Sequence, residues 1–96
     1  FKHIILNNGS HESVGGQPTV GKEINFTKIA ENCGYKKSKK VSNFIELKKG
    51  IKWLNENKGP LLLEILIKNG SRRNLGRPKE SPHINKINFM NNIINE

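Results

Sequence analysis

Ile4-Ile5-Leu6-Asn7-Asn8-Gly9-Ser10-His11-Glu12-Ser13-Val14-Gly15-Gly16-Gln17-Pro18-Thr19 decides the fold class: an apolar run stops at two asparagines, and a glycine-rich polar loop follows. The bulky and β-branched residues from Phe1 to Leu6 predict a buried strand, with the loop standing at its carboxyl end. In an open α/β sheet that is where ligands bind. A loop carrying Gly9, Gly15, Gly16 and Pro18 before Gly21 is long enough to do more than connect two elements. The amide oxygen of an asparagine and the backbone carbonyls beyond it are hard, neutral donors. They suit Mg²⁺, which takes few protein ligands and fills its octahedron with phosphate oxygens and water.

Downstream the pattern alternates between helix and strand. Asn25 reads as an N-cap, with Phe26, Ile29, Ala30 and Cys33 at helical spacing and Gly34 as the stop. Tyr35 to Ser42 predicts a short strand whose lysines make it exposed or an edge. Asn43 and Glu46 have capping-box spacing, and the helix they open places Phe44, Leu47, Ile51 and Leu54 on one stripe before Gly59-Pro60 ends it. Leu61 to Ile67 is nearly continuous apolar sequence, which suits a strand covered on both faces. A basic segment from Lys68 to Pro82 leads to a last helix from about Asn85, expected to bury Ile87, Met90 and Ile94 with Phe89 and Ile93 alongside. This order implies parallel strands with helical crossovers, hence an α/β three-layer sandwich with a mainly parallel sheet.

A chain of 96 residues allows one domain and a modest core. Hydrophobic content of 33% and mean hydropathy of −0.65 are low for a sheet with helices on both faces. A partner surface or further chain is therefore expected to complete the core. Leu61 to Ile67 is too short for a membrane span and is interrupted by Glu64, and Phe1 to Leu6 lacks the length of a signal peptide. The single Cys33 allows no internal disulfide, fits a reducing cytoplasm and reads as a small buried hydrophobe. A net charge of +9 raises nucleic-acid binding as a rival function. The dispersion of the lysines and an aromatic content of 6%, without a spaced stacking set, argue against it. The first residue is Phe1 and the one methionine is Met90, so a processed, trimmed or partial chain is expected.

These residues also carry a resemblance. A strand ending in Asn7-Asn8-Gly9 resembles the second half of the thiamine-diphosphate motif, which opens with Gly-Asp-Gly and closes on paired asparagines. The continuation His11 to Thr19 is similar to the phosphonopyruvate decarboxylases and, less closely, to the β part of sulfopyruvate decarboxylase. Asn74-Leu75-Gly76-Arg77-Pro78, Ser81-Pro82, Asn85-Lys86 and Phe89-Met90 resemble that family's C-terminal tail. The resemblance runs over nearly all of the chain, yet only to the last part of the enzyme. It implies that residues 1–96 are the C-terminal portion of a thiamine-diphosphate-binding (pyrophosphate) domain, without its Gly-Asp-Gly half.

Site roles follow from the same resemblance. The Asn8 side chain and the Ser10 carbonyl are the implied Mg²⁺ ligands, and Asn7 braces the strand end. Gly9, Ser10, His11, Gly15 and Gly16 are expected along thiamine diphosphate. His11 either moves a proton near the reacting carbon or packs against the cofactor or another subunit. Glu12 is expected in solvent. Arg72, Arg73 and Arg77 form a cationic group that suits a phosphonate, or else a solvated or interfacial surface. The implied reaction converts a 2-oxo acid, 3-phosphonopyruvate, to phosphonoacetaldehyde and CO₂ in phosphonate biosynthesis. A sulfopyruvate decarboxylase-like subunit, a small basic nucleic-acid module and a nonfunctional gene fragment are the alternatives. The implied partners are the remaining domains or a complementary subunit in a homo-oligomer, so the chain alone is expected to be inactive.

Overall fold

Leu61, Leu62, Leu63 and Glu64 are all buried, and a strand buried on both faces belongs at the centre of its sheet. In the computed structural model, which describes residues 1–95, the chain runs β1 (Lys2–Asn7), β2 (Ser10–His11), β3 (Gln17–Pro18), α1 (Phe26–Asn32), β4 (Lys37–Val41), α2 (Phe44–Glu56), β5 (Leu61–Leu66) and α3 (Pro82–Ile94). The main sheet has the order β1-β5-β4. Both pairings are parallel, with Lys2 opposite Leu61 on one side and Lys37 opposite Leu61 on the other. The segment expected as an edge, β4, is one.

Alternation along β5 separates two helical layers. Leu61, Leu63 and Ile65 join Val41, Leu47, Trp53 and Leu54 in a cluster beneath α2. Leu62 lies with His3 and Ile5 against Phe26, Ile29 and Ala30 of α1. Successive strand residues point to opposite faces, so α1 and α2 cover opposite sides of the sheet. The expected three-layer arrangement is present. Gly50 lets α2 approach closely: a Cβ there would lie 3.1 Å from Leu63 Cδ1 and 3.2 Å from Val41 Cγ1.

The caps form where the sequence signals them. Asn25 Oδ1 accepts from the Lys28 N–H at 3.1 Å, and Asn43 Oδ1 accepts from the Glu46 N–H at 2.9 Å. The Glu46 carboxylate reaches one residue further back than a capping box requires. It accepts from the Ser42 N–H at 2.9 Å and from the Ser42 hydroxyl at 3.1 Å.

Four expectations about burial are corrected. As an edge strand β1 leaves Ile4 and Leu6 exposed, and its one fully buried residue is Asn7. The α2 stripe is rotated so that Gly50 and Leu54 face the sheet, which turns Phe44 outward and leaves Ile51 at the rim. Cys33 is exposed, because it caps the C-terminus of α1 beyond Ala30, the helix's last buried residue. Finally, α3 begins at Pro82 behind an N-cap at Ser81, earlier than expected, and none of its residues is buried. Both faces of the small sheet are already taken by α1 and α2, which leaves no layer for it. The Cα radius of gyration, 17.0 Å, exceeds the ~13 Å of a closed domain of this length, as such an outlying helix requires.

Replacing Leu63 by Ala is expected to lower stability by about 2–5 kcal/mol through lost burial and a cavity under α2, measured as a shift in urea midpoint. A second expectation concerns pH. Hydrogen bonds from the Ser42 N–H and hydroxyl hold the exposed Glu46 carboxyl below the usual carboxylate range. A lowered folded-state pKa gives stability that is complete above the unfolded value and lost as pH falls through the folded one. Acidification through that window should lower the amide-exchange protection factors at Ser42 and Leu47, measured against intrinsic rates at each pH, and Glu46→Gln should abolish this pH-dependent change in protection.

Candidate functional site

The sheet ends at its carboxyl edge in a polar row on the α1 face: Lys40 on β4, Glu64 on β5 and Asn7 on β1. Asn7 satisfies both of its side-chain donors and its amide oxygen there. Its Nδ2 donates to Glu64 Oε1 at 2.8 Å and to the Gly21 carbonyl at 2.6 Å, and its Oδ1 accepts from the Gly9 N–H at 3.0 Å. One buried side chain thus ties the end of β1, both arms of the loop and the central strand together. The bracing role expected of Asn7 is what this geometry supplies.

Glu64 is fully buried. Its Oε2 has no hydrogen-bond partner, and the nearest cation is Lys40 Nζ at 3.7 Å, itself partly exposed. A buried carboxylate is costly unless paired, and Asn7 and Lys40 are the partners this one has.

Beyond Asn7 the chain turns outward. Gly9 adopts φ +69° with the Lys22 side chain against it; a Cβ at Gly9 would sit 2.7 Å from Lys22 Cε. Asn8 Oδ1 accepts from the Ser10 N–H at 3.0 Å, and Asn8 Nδ2 donates to Glu12 Oε2 at 3.1 Å. Ser10 opens the hairpin of β2 and β3, opposite Pro18. The bond from the Thr19 N–H to the Gly9 carbonyl makes this a non-hydrogen-bonded pair, so the Ser10 carbonyl is turned away from the partner strand. The flanking carbonyls are used: Gly9 O accepts from Thr19 N at 2.8 Å and His11 O from Gly16 N at 2.9 Å. Gly15 and Gly16 close the hairpin at φ +126° and +75°, a left-handed path that residues with a Cβ rarely take.

The segment after β5 folds over this loop. Ser10 Oγ donates to Asn69 Oδ1 at 3.1 Å, and the Gly70 N–H donates to Glu12 Oε1. Glu12 is exposed, as expected, but it bridges Asn8 and Gly70 and so orients the Asn8 amide. Asn8, Gly9, Ser10, His11, Gly15 and Gly16 are brought together at the carboxyl end of β1, where α/β sheets bind ligands. His11 is exposed there and has no side-chain bond among the described residues. Arg72, Arg73 and Arg77 are exposed on the segment leading to α3. The ion pairs of the described residues, Lys40–Glu64 and Lys52–Glu56, include none of the three.

Chemically, the loop offers a hard cation two neutral oxygens, the Asn8 amide and the Ser10 carbonyl. No group of three His, Cys, Asp or Glu able to hold a metal exists among the described residues. These donors carry no charge, so a divalent ion seated here would be neutralised by other ligands, for which a diphosphate is suited. Sequence reasoning missed Glu64, Glu12 and Asn69. A lone glutamate inside an apolar strand was the available signal for the first; the other two act through loop contacts that have no sequence pattern.

Comparison with known proteins gives the context. Residues 1–65 match the family described as thiamine pyrophosphate enzyme, C-terminal TPP binding domain. A phosphonopyruvate decarboxylase of Streptomyces hygroscopicus is 36% identical over 81 residues, covering 84% of this chain and 20% of that protein. A phosphonopyruvate decarboxylase of Streptomyces viridochromogenes is 34% identical over 80 residues, covering 83% of this chain and 20% of that protein. The chain thus spans about a fifth of the length of these relatives.

The Asn7 contacts generate one expectation. Asn7→Asp deletes both donors and sets a second carboxylate against the buried Glu64, so stability should fall by about 3–5 kcal/mol at neutral pH. Urea midpoints of the two proteins at neutral pH would show it.

Proposed function

The chain belongs to the thiamine pyrophosphate enzymes, through their C-terminal TPP binding domain, and from that membership we propose that it helps seat thiamine diphosphate and Mg²⁺ in a 2-oxo acid decarboxylase. The observation that carries this reading is the pair of oxygens, Asn8 Oδ1 and Ser10 O, just beyond the carboxyl end of β1, the second in a strand pair whose ladder bonds fall on the flanking residues. When bound, the cofactor supplies an electron sink for the pair released as CO₂ leaves. Asn8 and Ser10 hold the cation that grips the diphosphate. Gly9, Gly15 and Gly16 keep the loop free of side chains where the backbone must pass close to the ligand. His11, exposed on the hairpin, holds or moves a proton at a ring nitrogen on the substrate side.

The substrate we propose is 3-phosphonopyruvate, converted to phosphonoacetaldehyde and CO₂, which makes the complete protein a carboxy-lyase of phosphonate biosynthesis. The two relatives named for that substrate support the choice; sulfopyruvate is the alternative. Arg72, Arg73 and Arg77 are the cations this chain offers to the phosphonate. We place the remaining ligands on other domains or a complementary subunit of a cytoplasmic homo-oligomer. The exposed apolar residues of β1 and α3 support such covering surfaces. No helix of the described residues is long and apolar enough to cross a membrane, and we propose neither a membrane nor a nucleic-acid partner.

In the complete enzyme, Asn8→Leu should weaken Mg²⁺ and thiamine diphosphate binding by at least roughly tenfold, read by calorimetric titration. Unchanged affinities would sink the assignment. Turnover of 3-phosphonopyruvate should exceed that of sulfopyruvate in kcat/KM; the reverse order would move the substrate to sulfopyruvate.

A further inference from the structure

Glu64 is the buried ionisable group that the reading above leaves without a task. It interrupts five apolar neighbours in β5, where a leucine or methionine would fill the same space without desolvating a charge. Its position explains the exception. Across the sheet, Lys40 stands opposite Glu64 on one side, and Asn7, at the end of β1, reaches it from the other. Glu64 Oε1 accepts one Asn7 N–H, which leaves the second for Gly21 O and aims Asn7 Oδ1 at the Gly9 N–H. From Gly9 the chain runs directly to Ser10, whose N–H is held by Asn8 Oδ1.

We propose that Glu64 is a positioning residue for the cation site: acting through Asn7, it fixes the separation of the Asn8 amide oxygen and the Ser10 carbonyl. The proposal rests on the assignment of those two oxygens to Mg²⁺ made above. The two donors this chain supplies are neutral, so what they add to cation affinity depends on how well they are preorganised. Removing Glu64 leaves an Asn7 N–H buried without an acceptor. The side chain is then held only by Gly21 and Gly9 and can turn to satisfy the orphaned donor, which loosens its grip on the Gly9 amide. Lys40 Nζ, 3.7 Å from Glu64 Oε2, stands on the other side of the carboxylate.

The experiment uses the complete enzyme carrying Glu64→Leu, Glu64→Gln or Asn8→Leu. Mg²⁺ is titrated calorimetrically with thiamine diphosphate present, well below each unfolding midpoint. Glu64→Leu is expected to lose roughly ten- to a hundredfold in Mg²⁺ affinity, while Glu64→Gln, which keeps an acceptor for Asn7, retains most of it. A lowered unfolding midpoint with unchanged Mg²⁺ affinity would mean that Glu64 only supports the sheet, and would overturn the proposal. If Asn8→Leu weakens Mg²⁺ and Glu64→Leu does not, this inference fails while the cofactor assignment stands. If Asn8→Leu changes nothing, the assignment fails and takes the inference with it. Should Glu64→Leu not fold, Asn7→Ser removes the same link from the other side; it is expected to weaken Mg²⁺ equally, and an unaltered affinity would overturn the proposal.

Discussion

A single amide side chain organises the functional end of this molecule. Asn7 is the last residue of β1 and is almost fully buried, so each of its polar atoms must find a partner within the protein. It finds three, on the central strand, on the outgoing arm of the loop and on the returning arm. No other residue type of similar size offers two donors and one acceptor in this geometry. Aspartate lacks the donors, and leucine has neither kind of group. The loop's path is consequently set by the sheet rather than by its own turn propensity. That is how a stretch rich in glycine and polar residues presents an amide and a carbonyl oxygen at one place.

The sheet itself illustrates how an apolar core and a polar site share one strand. Leu61, Leu62 and Leu63 supply burial to both helical layers, and Glu64 follows directly, beside the end of β1. The strand changes character within one residue, from apolar packing to a polar contact. Gly50 contributes from the other side by drawing α2 onto Leu63 and Val41, which holds β5 firmly in the centre.

Much of this was legible in the sequence, and the failures share a physical cause. The strand ending at Asn7, the capped helices after Asn25 and Asn43 and the doubly buried strand after Pro60 all follow from local signals: periodicity, caps and breakers. The Asn-Asn-Gly sequence likewise marked where the strand gives way to the glycine-rich loop. What could not be read was which apolar residues would meet a partner. Ile4, Leu6, Phe44 and the α3 residues Ile87, Met90 and Ile94 have the spacing of core positions, yet this sheet has only two faces and three strands to offer them. Periodicity states that a face is apolar; it does not state what lies opposite. Glu64 was misjudged for a related reason. A charge in an apolar run reads as an interruption until its neighbours across the sheet are known, and those lie some sixty residues earlier in the chain, at Asn7, and on the adjoining strand, at Lys40.

The outer side of β1 has a further consequence for handling the chain. Within the described residues β1 is paired on one side only, so its other margin displays unsatisfied backbone groups flanked by the exposed Ile4 and Leu6. A bare margin of this kind templates strand-to-strand stacking between molecules. Here it is opposed by the surplus of nine positive charges, which makes every copy repel its neighbours. Colloidal behaviour is thus a contest between a sticky rim and a like-charged cloud. Added electrolyte, by thinning that cloud, shifts the contest toward clumping.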